Sequence, residues 1–330
     1  MLNIALLGAG RIGQIHAANI AAHPGSHLYA VVDPWNNAVQ ALATQYDAQV
    51  MTLEHVLNDP NIDAVVIASA TDQHADQIEL AARHGKAIFC EKPIHLNLKR
   101  VAACLETVEA HKTPLFIAFN RRFDPDFHQL KAQYQAGQIG KAESLLIVSR
   151  DPAAPPADYI KVSGGLFRDM TIHDFDMVRF IMDEEPNSVY AYASNIVDPA
   201  IGRAGDVDTA TIVLGFTSGT QATIINSRRS GYGYDQRIEL HGEKGLLRTN
   251  NVLQNRVVCL TKPGTIQANP QDFFLERYAD SYKAEWHHFV TALQQNTPLN
   301  CTGIDGLRAL WIADKAYESL ATGCAVSLVM

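Results

Sequence analysis

The stretch DMTIHDFDM, residues 169–177, places Asp169, Asp174 and Asp176 around His173 in a chain whose charged residues amount to only 19%. Three chemistries suit such a cluster. A carboxylate and an imidazole on one helix face can address a single small ligand, with the imidazole as general base. The same residue types are zinc ligands. Acids at a helix start also complement its dipole. In a helix, Asp169 and His173 are i and i+4 and share a face, Asp176 shares it partly, and Asp174 points elsewhere. The metal reading finds no H-x-x-x-H or paired cysteines nearby. The dipole reading accounts for Asp169 and Asp174 but selects no histidine. A second reactive group, Lys92, stands in CEKP, residues 90–93. It closes an apolar run, where α/β sheets present side chains to ligands.

The elements that must position these groups come in two rhythms. Over the first ~120 residues, apolar runs (NIALLG, LYAVVD, DAVVIAS, AIFCE, PLFIAF) alternate with helical stretches at Arg11–Ala22, Asn36–Tyr46, Gln73–His84 and Leu98–His111. This alternation predicts a Rossmann-type, doubly wound parallel sheet covered on both faces. After Arg122 comes a helix over Pro125–Gln135, then strand-like runs ESLLIVSR, SVYAYASN, DTATIVLGF, TQATIINS, QRIELHG and GLLRTN. TSGT and GEKG read as hairpin turns. The second half is thus an α/β domain with a large open, mostly antiparallel sheet, and the last ~50 residues return to helical period. The division expected is 1–121 and 122–330. Residues Arg150–Gly165 read as a Pro/Gly-rich loop in which Tyr159 and Lys161 stand ready to close over a ligand.

GAGRIG sets Gly8, Gly10 and Gly13 in G-x-G-x-x-G order between the first strand and the first helix. Gly8 turns tightly, Gly10 admits pyrophosphate to the backbone, and Gly13 lets helix and strand close up. Arg11 and Ile12 lie in the same turn, at a helix start that offers N–H groups to phosphate. Asp33 ends the second strand, where a carboxylate holds ribose hydroxyls. It repels a 2′-phosphate, and DPWNN offers no cation, so NAD is favoured over NADP.

The formal charge of −8 and scattered Lys and Arg exclude a phosphate-tracking surface, so nucleic acid is not an expected partner. The five cysteines lack CxxC spacing and read as reduced thiols of a cytoplasmic protein. No run approaches the ~20 apolar residues of a membrane span. MLNIALLGAG has no basic flank and reads as a buried strand rather than a secretory signal.

GAGRIG, TDQHAD (71–76), EKP (91–93) and GG…DMTIHDFDM (164–177), in this order, resemble the Gfo/Idh/MocA oxidoreductases over essentially the whole chain. FNRRFDP (119–125) and GYDQR (233–237) are similar to the branch acting on inositol. The resemblance implies Lys92, Asp169 and His173 as catalytic residues. It also implies a Lys92–Pro93 bond that is often cis, and a homotetramer built through the open sheet. It places Ala70, His74, Glu91 and Lys92 beside the cofactor. The reaction implied is NAD-dependent oxidation of myo-inositol to its 2-keto form. Another cyclitol or pyranose (scyllo-inositol, glucose) is a close alternative, and a non-catalytic NAD-binding regulator a remoter one. For substrate, the candidates are Lys92, Asn120, Arg122, Asp169, His173, Tyr232 and Tyr234. Arg122 has an acid partner as its alternative role, the tyrosines have packing, and His74 has a plain helix-start role. His287 and His288 read as structural, and no metal is expected.

Overall fold

The computed structural model describes residues 1–329 and divides into two compact units: Met1–Asn120 with Ser281–Leu310, and Arg121–Asp280 with the chain from Trp311 onward. In the first unit the order is β1 (Leu2–Leu7), α1 (Arg11–Ala22), β2 (Ser26–Val32), α2 (Asn36–Tyr46), β3 (Gln49–Val50), α3 (Leu53–Asn58), β4 (Ala64–Ile67), α4 (Thr71–Arg83), β5 (Ala87–Glu91), α5 (Leu98–Ala110) and β6 (Leu115–Ala118). The strands form one parallel sheet in the order β3-β2-β1-β4-β5-β6. Every residue of Ile4–Leu7, Ala64–Ile67, Ile88–Cys90 and Leu115–Ala118 is buried without alternation, because helices cover both faces. Strand order reverses between β1 and β4, which opens a crevice at their carboxyl ends.

The second unit starts with α6 (Pro125–Gln135), capped by the Asp124 carboxylate, which accepts from the backbone N–H groups of Asp126 and Phe127 at 3.1 Å. There follow β7 (Ala142–Arg150), α7 (Ala157–Ser163), a π-helical turn at Phe167–Thr171, α8 (Ile172–Met182), β8 (Ser188–Ser194), α9 (Pro199–Arg203), β9 (Thr209–Gly215), β10 (Gln221–Ser227), β11 (Asp235–Gly242), β12 (Gly245–Arg248), β13 (Val258–Thr261), β14 (Gly264–Gln267) and α10 (Phe274–Arg277). Then come α11 (Ala279–Gln295), α12 (Gly303–Thr322) and β15 (Val326–Ser327). The seven-stranded sheet runs β12-β11-β7-β10-β9-β8-β15 and is antiparallel except for the β7–β10 pair. On β9, Ala210, Ile212 and Leu214 are buried and alternate with more open Thr211 and Val213, so one face packs on the helices and the other is open. TSGT joins β9 to β10 and GEKG joins β11 to β12.

Two elements depart from the sequence expectation. Residues 281–310, expected in the second domain, pack in the first unit. The cause is aromatic: Phe289 and Trp286 of α11 lie 5.5 and 5.6 Å from Phe89, and the Trp286 indole donates to Ser26 Oγ at 3.0 Å. Burying Phe289 alone is worth about 1.5–3 kcal/mol. Residues 150–165 are not all loop: α7 forms after Pro156 and ends at Gly164, whose φ of 85° is the left-handed stop a glycine adopts freely.

Candidate active site

The glycine turn of the first unit is shaped by backbone proximity. Gly8 has φ +107°, and a Cβ there would lie 2.4 Å from the Ala68 carbonyl oxygen; one on Gly13 would lie 2.1 Å from that of Gly8. A Cβ on Gly10 would meet nothing within 4 Å, so the space before it is open. No side chain caps α1 at Gly10, and a helix start following such a turn is suited to an anion. The Asp33 carboxylate accepts from the Ala9 and Trp35 backbone N–H groups, both at 2.7 Å, and so ties the glycine turn to the end of β2. An open cradle, an uncapped helix start and an adjacent carboxylate together fit a dinucleotide with a free ribose diol.

Lys92 is half-buried just past β5, and the Lys92–Pro93 bond is cis. Ala70 is the exposed, extended residue before α4. His74 is 2% exposed, with Nδ1 at 2.8 Å from the Pro93 carbonyl and Nε2 at 3.1 Å from that of Ser69. Burial pulls its pKa below the ordinary imidazole value, against the opposing pull of these carbonyls. Glu91 Oε1 lies 2.8 Å from Nε2 of the fully buried His16. His74 and Glu91 therefore direct their side chains at the protein, and any cofactor role they have runs through the segment they hold. Asn120 is buried at the start of a tight turn over Asn120–Phe123.

In the second unit, each acid of DMTIHDFDM meets an arginine. Asp169 Oδ2 accepts from Arg228 Nη2 at 2.8 Å and its Oδ1 from the Tyr159 hydroxyl at 3.0 Å. Arg228 also donates to Asp151 at 2.9 Å. Burial lifts the Asp151 carboxyl above its usual range, and Arg228 only partly offsets this. Asp174, fully buried, accepts from Arg121 and Ser149 at 2.6 Å and from Asn226 at 2.8 Å. Asp176 takes both Nε and Nη2 of Arg122, at 2.7 and 2.5 Å, with Arg179 at 3.6 Å. His173 is partly exposed at the start of α8.

Several expectations change. The segment is not one regular α-helix: it is π-helical over Phe167–Thr171 and α-helical from Ile172, so Asp169 and His173 are joined through a wider turn than the α-helical i, i+4 spacing assumed. Arg122 has its guanidinium fork on Asp176, which is the acid-partner alternative. Tyr234 is 6% exposed and stands edge-on to Tyr278 at 6.0 Å, which is the packing alternative. Burial drives its phenol pKa well above 10.0. Tyr232 is 43% exposed, donates to Asp235 at 2.5 Å and accepts from Arg150 at 2.8 Å. Lys161 pairs with neighbouring Asp158 on an exposed face. Sequence reasoning missed Arg228, Asp151, Tyr159 as the partner of Asp169, and the Arg121–Ser149–Asn226 set. The available signals were the Arg121–Arg122 pair and the Arg228–Arg229 pair just past β10.

The parallel sheet with its phosphate turn and the open mixed sheet define a two-domain nucleotide-dependent oxidoreductase. Residues 2–119 match the oxidoreductase family with an NAD-binding Rossmann fold, and residues 127–248 match the GFO/IDH/MocA C-terminal domain. The chain belongs to this family. It is 48% identical over 323 residues to the inositol 2-dehydrogenase of Rhizobium meliloti (strain 1021), covering 98% of each chain. The crystal structure of a myo-inositol dehydrogenase from Corynebacterium glutamicum ATCC 13032 superimposes with a TM-score of 0.96 at 41% identity, covering 100% of this chain and 99% of that one. The scyllo-inositol dehydrogenase from Lactobacillus casei, with bound cofactor NAD(H) and scyllo-inositol, gives 0.91 at 30% identity over 99% of both chains.

Proposed function

We propose that this chain oxidises myo-inositol to the 2-keto cyclitol with NAD, as a step in breaking inositol down. The near-full-length likeness to an inositol 2-dehydrogenase, with Lys92, Asp169 and His173 all present in their motifs, carries the reading. Gly8, Gly10, Arg11, Ile12, Gly13 and Asp33 would hold NAD, whose nicotinamide accepts the hydride when bound. His173 takes the hydroxyl proton as general base. Lys92 donates to the same oxygen and stabilises the alkoxide charge. Asp169, held by Arg228, orients the hydroxyls by accepting from them. Within DMTIHDFDM the three carboxylates lie on arginines, so the imidazole is the group of that segment suited to proton transfer.

The test is NADH absorbance with a panel of cyclitols and sugars. myo-Inositol should give the highest kcat/KM, and His173→Ala should lose turnover far more than NAD affinity. Preference for scyllo-inositol or glucose would shift the substrate assignment, absence of turnover with every polyol would support a regulator, and near-normal turnover in His173→Ala would remove the base.

We further propose a cytoplasmic homotetramer associating through the open sheet face. Tyr190, Tyr192 and Val213 are exposed there, and light scattering gives the subunit number. The five cysteines are free, as a reducing compartment would keep them. Among the described residues no helix is long and apolar enough to cross a membrane.

A further inference from the structure

Lys92 stands between two residues that are each gripped by a buried histidine. Before it, the Glu91 carboxylate meets His16 Nε2 at 2.8 Å; after it, the Pro93 carbonyl meets His74 Nδ1 at 2.8 Å. His16 belongs to α1, which begins at the glycine turn, and His74 to α4, which begins just past Ala70. The rings are 0% and 2% exposed, so water competes for neither bond. We propose that His16 and His74 are positioning residues that hold the Lys92 backbone in register with the two turns facing the cofactor. This rests on Lys92 acting on the substrate oxygen, as proposed above.

The physical case concerns where a flexible amine can be fixed. A lysine has four rotatable side-chain bonds, so the protein sets its reach mainly by fixing the backbone behind it. A misplacement of 1 Å at a reacting group costs about 100-fold in rate. Here one helix holds the preceding side chain and another the following carbonyl, leaving Lys92 as a short span between two clamps. Proton placement follows from burial. A neutral His74 ring has one N–H for two facing carbonyls, and the proposal places it on Nδ1, toward Pro93, the nearer of the two. His16 gives its Nε2–H to Glu91. The stripe of α11 covers this pair: the Tyr282 ring is edge-on to His16 at 6.0 Å, and Glu285 lies three residues further on. The Glu285 carboxyl is fully buried, and neither oxygen has a hydrogen-bond partner among the described residues. Burial, then the Glu91 charge, pushes its pKa well above the ordinary carboxylate range, which favours the uncharged form and weakens competition with Glu91 for His16.

The experiment uses the full chain and compares His74→Ala with His74→Asn, whose amide can replace Nδ1–H, and His16→Ala with His16→Gln, whose amide can replace Nε2–H. The alanine variants should lose about 10- to 100-fold in kcat, with the NAD dissociation constant within about threefold of wild type. The amide variants should recover most of the loss. Alanine variants that fold and keep kcat within twofold would overturn the proposal. So would amide variants as impaired as the alanines, since a merely structural role predicts no such rescue. Should the alanines not fold, imidazole 15N NMR of the wild type decides. Protons on His74 Nδ1 and His16 Nε2 are required, and the opposite tautomers sink the proposal. Lys92→Met separates the two readings: retained turnover there refutes the catalytic assignment, whereas an inactive Lys92→Met beside fully active histidine variants refutes the positioning alone.

Discussion

Replacing Asp174 by alanine removes a fully buried carboxylate that serves three donors: Arg121 and Ser149 at 2.6 Å and Asn226 at 2.8 Å. Arg121 is 5% exposed and cannot follow its charge into water. Its nearest remaining contacts are the Ser149 hydroxyl at 3.1 Å and the Tyr278 ring face at 5.6 Å, neither of which carries a full negative charge, while the Asp151 carboxylate, itself paired with Arg228, acts on it only through space. Leaving one partner of a buried ion pair uncompensated costs about 3–5 kcal/mol. The orphaned Asn226 amide adds to this within the same range, because the groups relax together. In a domain of this size 1 kcal/mol moves Tm by about 2–4 °C, so a fall of about 6–20 °C is expected. Circular dichroism melts of Asp174→Ala, Arg121→Met and the double variant measure it. Each single variant leaves a buried charge or its donors stranded, whereas the double variant strands no charge. It should therefore be less destabilised than the sum of the singles by about 2 kcal/mol. An Asp174→Ala loss below about 1 kcal/mol, or simple additivity, would falsify the ion-pair account.

Further outcomes are as direct. Asp33→Ala removes two backbone bonds at 2.7 Å along with the carboxylate proposed above to hold NAD. The NAD KM should rise about 10- to 100-fold, and the preference over NADP should shrink; an unchanged NAD/NADP ratio of kcat/KM would remove Asp33 from cofactor selection. Glu285 has a native pKa well above 4.5, chiefly through burial. As pH rises past 4.5 the unfolded chain releases this proton while the native chain keeps it, so the native state loses stability. Glu285→Gln should therefore raise Tm near pH 8 and have no such advantage near about pH 4; an equal effect at both pH values contradicts this. For Asp235, burial acts upward but hydrogen bonds from Arg237, Tyr232 and Asn251 outweigh it and hold the pKa at about 2. Its contribution is present above the ordinary 3.8 and is lost as pH falls toward about 2. The Tm gap between wild type and Asp235→Asn should close over that interval, and a gap constant down to pH 2 would show that Asp235 is not the titrating group.

How much was legible depended on the distance over which a feature is encoded. The parallel sheet and its phosphate turn were readable because they are local. Gly8, Gly10 and Gly13 act within six residues, and the α1, α2 and α6 ranges read from periodicity are those of the structure. The alternation of β9 likewise announced a sheet with one covered face. The acids of DMTIHDFDM were visible as residue types, but their partners were not. Arg121 lies 53 residues from Asp174, Arg122 lies 54 from Asp176, and Arg228 lies 59 from Asp169.

By itself, then, the sequence determined the fold class, the nucleotide turn and the reactive residue types, since backbone conformation and hydrophobic period are properties of neighbouring residues. Tertiary structure alone decided the rest. Strand register set Ser149 of β7 beside Asn226 of β10, and both on Asp174. A π-helical turn carries Asp169 where the spacing implied a regular α-helix. An aromatic stripe drew α11 back onto the first unit. Each outcome is a competition among distant groups for burial and for charge, and spacing along the chain records nothing of who wins it.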